Sequence, residues 1–141
     1  MTALDVHVGV EGHSKIDFDK RVINRTLFVE GRRTQRTARR LVARKAISEA
    51  GQFPGKQTGA LQKAIDLVRP RSKVGFWIKV EPTTAKIKQT GKIYYPAILH
   101  YGSIKRGIAP RENYMTAALE TNRAVSRAAL AQALEKALIP R

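Results

Sequence analysis

The chain has 141 residues, enough for about one domain with a core of about two or three layers. With 43% hydrophobic residues it is not a disordered polycation, and without cysteine it has neither disulfide staples nor thiolate metal sites. Its 27 Lys and Arg against 11 Asp and Glu leave a formal net charge of +16, which calls for an anionic partner: nucleic acid, an acidic protein surface or an anionic membrane face.

Leu4, Val6, Val8 and Val10 alternate with polar residues or glycine, the period of a short half-exposed strand. The segment shows neither the basic start nor the apolar stretch of a signal peptide, and no run in the chain approaches the roughly 20 apolar residues of a membrane span. A soluble, intracellular protein with no membrane partner is expected.

Residues Asp17 to Ala50 read as one long helix, continuous or bent at Gly31. On a helical wheel Ile23, Leu27, Thr34, Ala38, Leu41 and Val42 make the core stripe. Arg32, Arg33, Arg36, Arg39, Arg40 and Arg44 gather on the opposite side, with no acid between Glu30 and Glu49. A solvated face ordinarily alternates the sign of its charges. This one suits phosphates or, through bidentate pairing, the carboxylates of an acidic protein. Few aromatics interleave with the arginines, so a role contacting a backbone or lining a channel fits better than a stacking platform.

Gly51 to Gly55 stop that helix, and Thr58 offers an N-cap for a shorter one with Leu61, Ala64, Ile65 and Val68 on its core face. Val74 to Val80 reads as a strand, Glu81 to Thr84 as a turn, and Ala85 to Thr90 as an edge strand. Lys92 to Tyr95 follows as a further strand segment, then a buried turn over Ala97 to Tyr101, a change of direction at Gly102, and an exposed basic loop from Ser103 to Ala109. Pro110 leads into a last helix over Arg111 to Leu138, with Met115, Ala118, Leu119, Val125, Ala129, Leu130, Ala133 and Ala137 as its stripe. The fold class expected is α+β: a single domain over residues 1–141, with one small antiparallel sheet of three to four strands packed by a long N-terminal, a short middle and a C-terminal helix.

No constellation for catalysis emerges. His7, His13 and His100 form no helical ligand pair, and His100 reads as a packed or interface residue. Asp17 and Asp19 read as helix-start acids rather than as a nuclease metal pair, and Glu112 has the same explanation. Pro54 to Leu61, PGKQTGAL, departs from the phosphate-loop spacing, and Gly102 and Gly107 do not make a dinucleotide fingerprint. No catalytic residue, metal or cofactor is expected.

Two stretches resemble a known family. They are QTGALQKAI, from Gln57, and YPAILHYGS, from Tyr95, the second continued by APRENYMTAAL from Ala109. Together they are similar to the tail-completion, or minor tail component, family of long-tailed double-stranded DNA phages and prophages. Thr58, Gly59 and Leu61 match its first motif. Tyr95, Gly102 and Ser103 match the second, with Leu99 and Tyr101 as conservative replacements, and Met115 and Ala118 match the third. His100 stands where that family usually has Glu, and Asn113-Tyr114 where it has Pro-Phe.

The resemblance implies a non-enzymatic structural protein of the virion neck or tail, present in the host cytoplasm during assembly. It implies a ring of copies, a hexamer in the assembled particle, that meets connector or head-closure and tail-tube proteins around the DNA path. Lys105 and Arg106 in the basic loop are then the expected assembly contacts, and the arginine face is left to DNA or an acidic partner. The alternative is a sequence-independent nucleic-acid-binding protein.

Overall fold

The computed structural model describes residues 16–43, 48–55, 59–69, 76–83 and 95–140. The expected strands at Leu4–Val10 and Ala85–Thr90, the Thr58 cap and Arg44 lie outside them.

Strand β1 (Ile16–Phe18) leads into helix α1 (Lys20–Ala43). The helix starts at Lys20 rather than Asp17 because Ile16, Asp17 and Phe18 pair with Pro140, Ile139 and Leu138 of strand β4 (Leu138–Pro140). Asp19 then caps the helix, its Oδ1 accepting from the Arg21 amide at 2.9 Å. Ile23, Thr34, Ala38 and Val42 are buried, as the periodicity predicts. The helix runs unbroken through Gly31, where a Cβ would lie 2.7 Å from Ile78 Cγ2 and 2.8 Å from Leu67 Cδ1. Glycine therefore serves close approach here and not bending. Ser48 to Ala50, expected to prolong the helix, are not helical.

Helix α2 (Ala60–Ala64) follows Gly59, which sits at φ 75°. It lasts little more than one turn, and the expected continuation through Val68 is strand β2 (Ile65–Val68), paired with β3 (Lys79–Pro82) in the register Ile65↔Pro82 to Val68↔Lys79. The cause is tertiary. The Ile65 carbonyl accepts from Gln35 Nε2 at 3.0 Å and from Arg39 Nε and Nη2 at 3.1 and 2.8 Å, so it is drawn to α1. The β3 strand lies later than its sequence signal, and Glu81-Pro82 extend it instead of turning.

Tyr95 to Tyr101 form helix α3, not a strand end and a buried turn. Gly102, at φ 76°, ends it with its amide on the Ile98 carbonyl at 2.8 Å. A short 3-10 turn (Ile104–Arg106) follows. Asn113 caps helix α4 (Tyr114–Ala137), accepting from the amides of Met115 and Thr116 at 3.0 and 3.2 Å. The expected start at Arg111 is thus delayed until a side chain is available to cap it. Ala118, Ala133 and Ala137 are buried, but Leu119 and Val125, both placed on the core stripe, are 57% and 51% exposed.

Helices α1 and α4 pack antiparallel, since Asp19 N–H donates to the Ala137 carbonyl at 2.7 Å and Asn122 Nδ2 to Thr37 Oγ1 at 2.9 Å. The small buried alanines of α4 permit this close approach. One core cluster joins Ala38, Val42, Leu61, Ile65, Leu99, Tyr114 and Ala118. The architecture is α+β, with two antiparallel sheets of two strands each among the described residues rather than one sheet of three or four. No described helix is long and apolar enough to cross a membrane.

Candidate functional site

Helix α1 carries its arginines along one side, but they are not equivalent. Arg32, Arg36 and Arg40 are exposed and have no acidic partner among the described residues. Arg33 is bound to Glu30, with Nε 3.1 Å from Oε2. Arg39 leaves the row, because its guanidinium is spent on the Ile65 carbonyl and on Asp66 Oδ1 at 3.5 Å. Among the described residues the arginines without an acidic partner on this side thus form a row of three at i, i+4 and i+8, about 6 Å apart along the axis.

These three guanidiniums line an open groove of about 620 Å³, together with Arg33, Phe28 and Val29, and the α4 residue Asn122 beside Thr37 closes one side. Among the described residues the lining contains no carboxylate. Phe28, absent from the sequence reading of this face, has Arg69 Cζ 3.8 Å and Arg32 Cζ 5.1 Å from its ring centroid. Cation–π contact fixes both arginines without neutralising them. Phe28 lies one turn before Arg32, so the helical wheel held that signal. Arg69 arrives only through the β2 strand and was not legible. Among the described residues the groove is thus cationic, partly aromatic and suited to the phosphates of a polyanion.

Beneath the groove a polar seam fixes the two helices. Glu30 is 6% exposed, and its Oε2 accepts from Ser126 Oγ at 2.7 Å. The buried Asn122 donates to Thr37 Oγ1 and to the Ala118 carbonyl at 2.8 Å. Neither pair was foreseen, since each joins residues far apart in the chain.

The motif residues divide between core and surface. Leu61, Leu99 and Ala118 are in the core cluster, Met115 packs against it, and Gly59 supplies the positive φ that starts α2. Tyr95 opens α3, and Gly102 and Ser103 carry the chain out of it. Tyr101, expected to be buried, is 73% exposed, with the exposed His100 ring edge-on to it at 4.6 Å. Leu99, Tyr101 and Met115 meet on one cleft of about 370 Å³, shared with Pro54, Val80 and Tyr114. Lys105 and Arg106 are exposed on the turn that follows. Asp17 and Asp19 each accept from a nearby backbone amide, on Phe18 and Arg21.

No family model, curated protein or solved structure matches the chain.

Proposed function

We propose that this chain is a structural virion protein of a phage or prophage, acting at the head–tail junction or tail end, as a ring of copies around the DNA path and without enzymatic activity. One observation carries the reading. Leu99, Tyr101 and Met115, from two separate motifs of the tail-completion resemblance, line one cleft, and Gly102 and Ser103 turn the chain from it into an exposed basic tip. A protein that joins copies and neighbours needs such paired surfaces. Its expected partners are its own copies, connector or head-closure proteins and tail-tube proteins. The test is electron microscopy of particles made without the protein: heads and tails unjoined, or tails with aberrant ends, support it. Normal infectious particles overturn it.

The second reading, a sequence-independent nucleic-acid-binding protein, is favoured by the groove of Arg32, Arg36 and Arg40, which has no carboxylate among its described lining residues. Under it, Arg36→Glu with Arg40→Glu abolishes binding to a random duplex. If the pair of changes blocks assembly and spares DNA affinity, the groove meets an acidic protein surface instead.

A further inference from the structure

The tip between Ser103 and Ile108 is an ordered turn. Ser103 and Ile108 exchange backbone hydrogen bonds of 2.8 and 3.0 Å, the Arg106 amide donates to Ser103 O at 3.1 Å, and Gly107 closes the turn at φ 61°. On it Ile104 is 102% exposed, and the neighbouring Lys105 and Arg106 have no acidic partner among the described residues. A single exposed isoleucine is ordinary. One held on a hydrogen-bonded turn, directly before two cations, is a preformed knob.

The cleft supplies the complement. Its walls include Leu99, Val80, Met115 and Tyr114, and its lining includes two acids. Glu81 is engaged by Lys79 at 2.6 Å, whereas Glu112 is exposed and has no cationic partner among the described residues. Copies carrying +16 each repel one another, so a contact between them must set cations against some of only 11 acids. Ile104 is fully solvated within its own chain, so it does not fill its own cleft.

We infer that the Ile104 tip of one copy seats in the Leu99–Met115 cleft of a second copy, with Lys105 and Arg106 against Glu112. The inference rests on the self-assembly reading above and deepens it by naming the two contacting surfaces.

The experiment measures association of the full chain by sedimentation equilibrium across concentration at low salt, with circular dichroism to verify folding. Wild type is expected to associate, and Ile104→Asp or Glu112→Lys to weaken association about tenfold or more, since one misplaced buried charge exceeds about 1.4 kcal/mol. Lys105→Glu with Arg106→Glu should likewise weaken it, and mixing that variant with Glu112→Lys should restore association between the two. Wild type that stays monomeric, unchanged association in the variants, or absence of mixed rescue overturns the inference. Association that ignores the tip but persists in wild type leaves the self-assembly reading standing, so the two failures are distinguishable. Intact association with loss of head–tail joining in Ile104→Asp would give the tip to a different partner and also overturn it.

Discussion

Arg39 and Ile65 are joined by two hydrogen bonds, from Nε at 3.1 Å and Nη2 at 2.8 Å to one carbonyl oxygen. With Gln35 Nε2 on the same oxygen at 3.0 Å, this contact marks where α2 gives way to β2. A charged donor on a buried acceptor contributes more than a neutral one.

Arg39→Ala is therefore expected to lower stability by about 1.5–3 kcal/mol, while Arg40→Ala, one residue on and exposed, changes it by less than about 0.5 kcal/mol. Urea denaturation of the two variants checks this. Equal losses would mean that the Ile65 contact contributes nothing special.

Gly31 makes a second prediction. Alanine is the better helix former by about 1 kcal/mol, but its Cβ would fall 2.7 and 2.8 Å from Ile78 Cγ2 and Leu67 Cδ1. Overpacking of this kind costs about 1–3 kcal/mol. Gly31→Ala should be net destabilising by about 1 kcal/mol, and a cycle with Ile78→Ala should show favourable coupling, because the second change removes the nearest clashing atom. Zero coupling in thermal or urea unfolding would contradict the close approach of α1 to Ile78 and Leu67.

The seam between α1 and α4 gives the third. Ser126→Ala removes the 2.7 Å bond to Glu30 and should cost about 1 kcal/mol. Glu30→Ala leaves Ser126 and Arg33 without their shared acceptor and should cost more, about 1–3 kcal/mol. The double variant should lose less than the sum, since both changes remove one interaction. Strict additivity in denaturation midpoints would place the two side chains apart.

These residues show what the sequence made legible. The α1 stripe of Ile23, Ala38 and Val42 repeats at the helical period, so its burial followed from spacing alone. The α+β class was legible in the same way. What failed was local pattern overridden by distant partners. Ile65 to Val68 fit a helix until Arg39 and Gln35 claim the first carbonyl. Tyr95 reads as the end of a strand and Ala97 to Tyr101 as a buried turn, yet Tyr95 to Tyr101 form a short helix that Gly102 ends. The exposure of Leu119 and Val125 follows from the narrow alanine seam, which leaves the flanks of α4 outside the contact with α1. For the arginine face the side of the helix was legible. That Arg39 is not free was illegible, because it depends on where Ile65 and Asp66 lie, whereas the partner of Arg33, Glu30, is one turn away on the same helix.

The division of the arginines makes the last prediction, which tests the groove as a phosphate-binding surface. Each cation that neutralises a phosphate contributes about 0.9 to the slope of log affinity against log salt on duplex DNA. Arg36→Ala and Arg40→Ala should each flatten that slope by up to about 0.9, and the triple change with Arg32→Ala by up to about 2.7, with losses similar on unrelated duplex sequences. Arg39→Ala, measured well below its unfolding temperature, should leave the slope unchanged, because its guanidinium is held by Ile65 and Asp66. Fluorescence anisotropy across a salt series separates the outcomes. A slope that falls equally for Arg39 and Arg40 would return Arg39 to the row, and a slope indifferent to all four would remove DNA as the occupant of the groove.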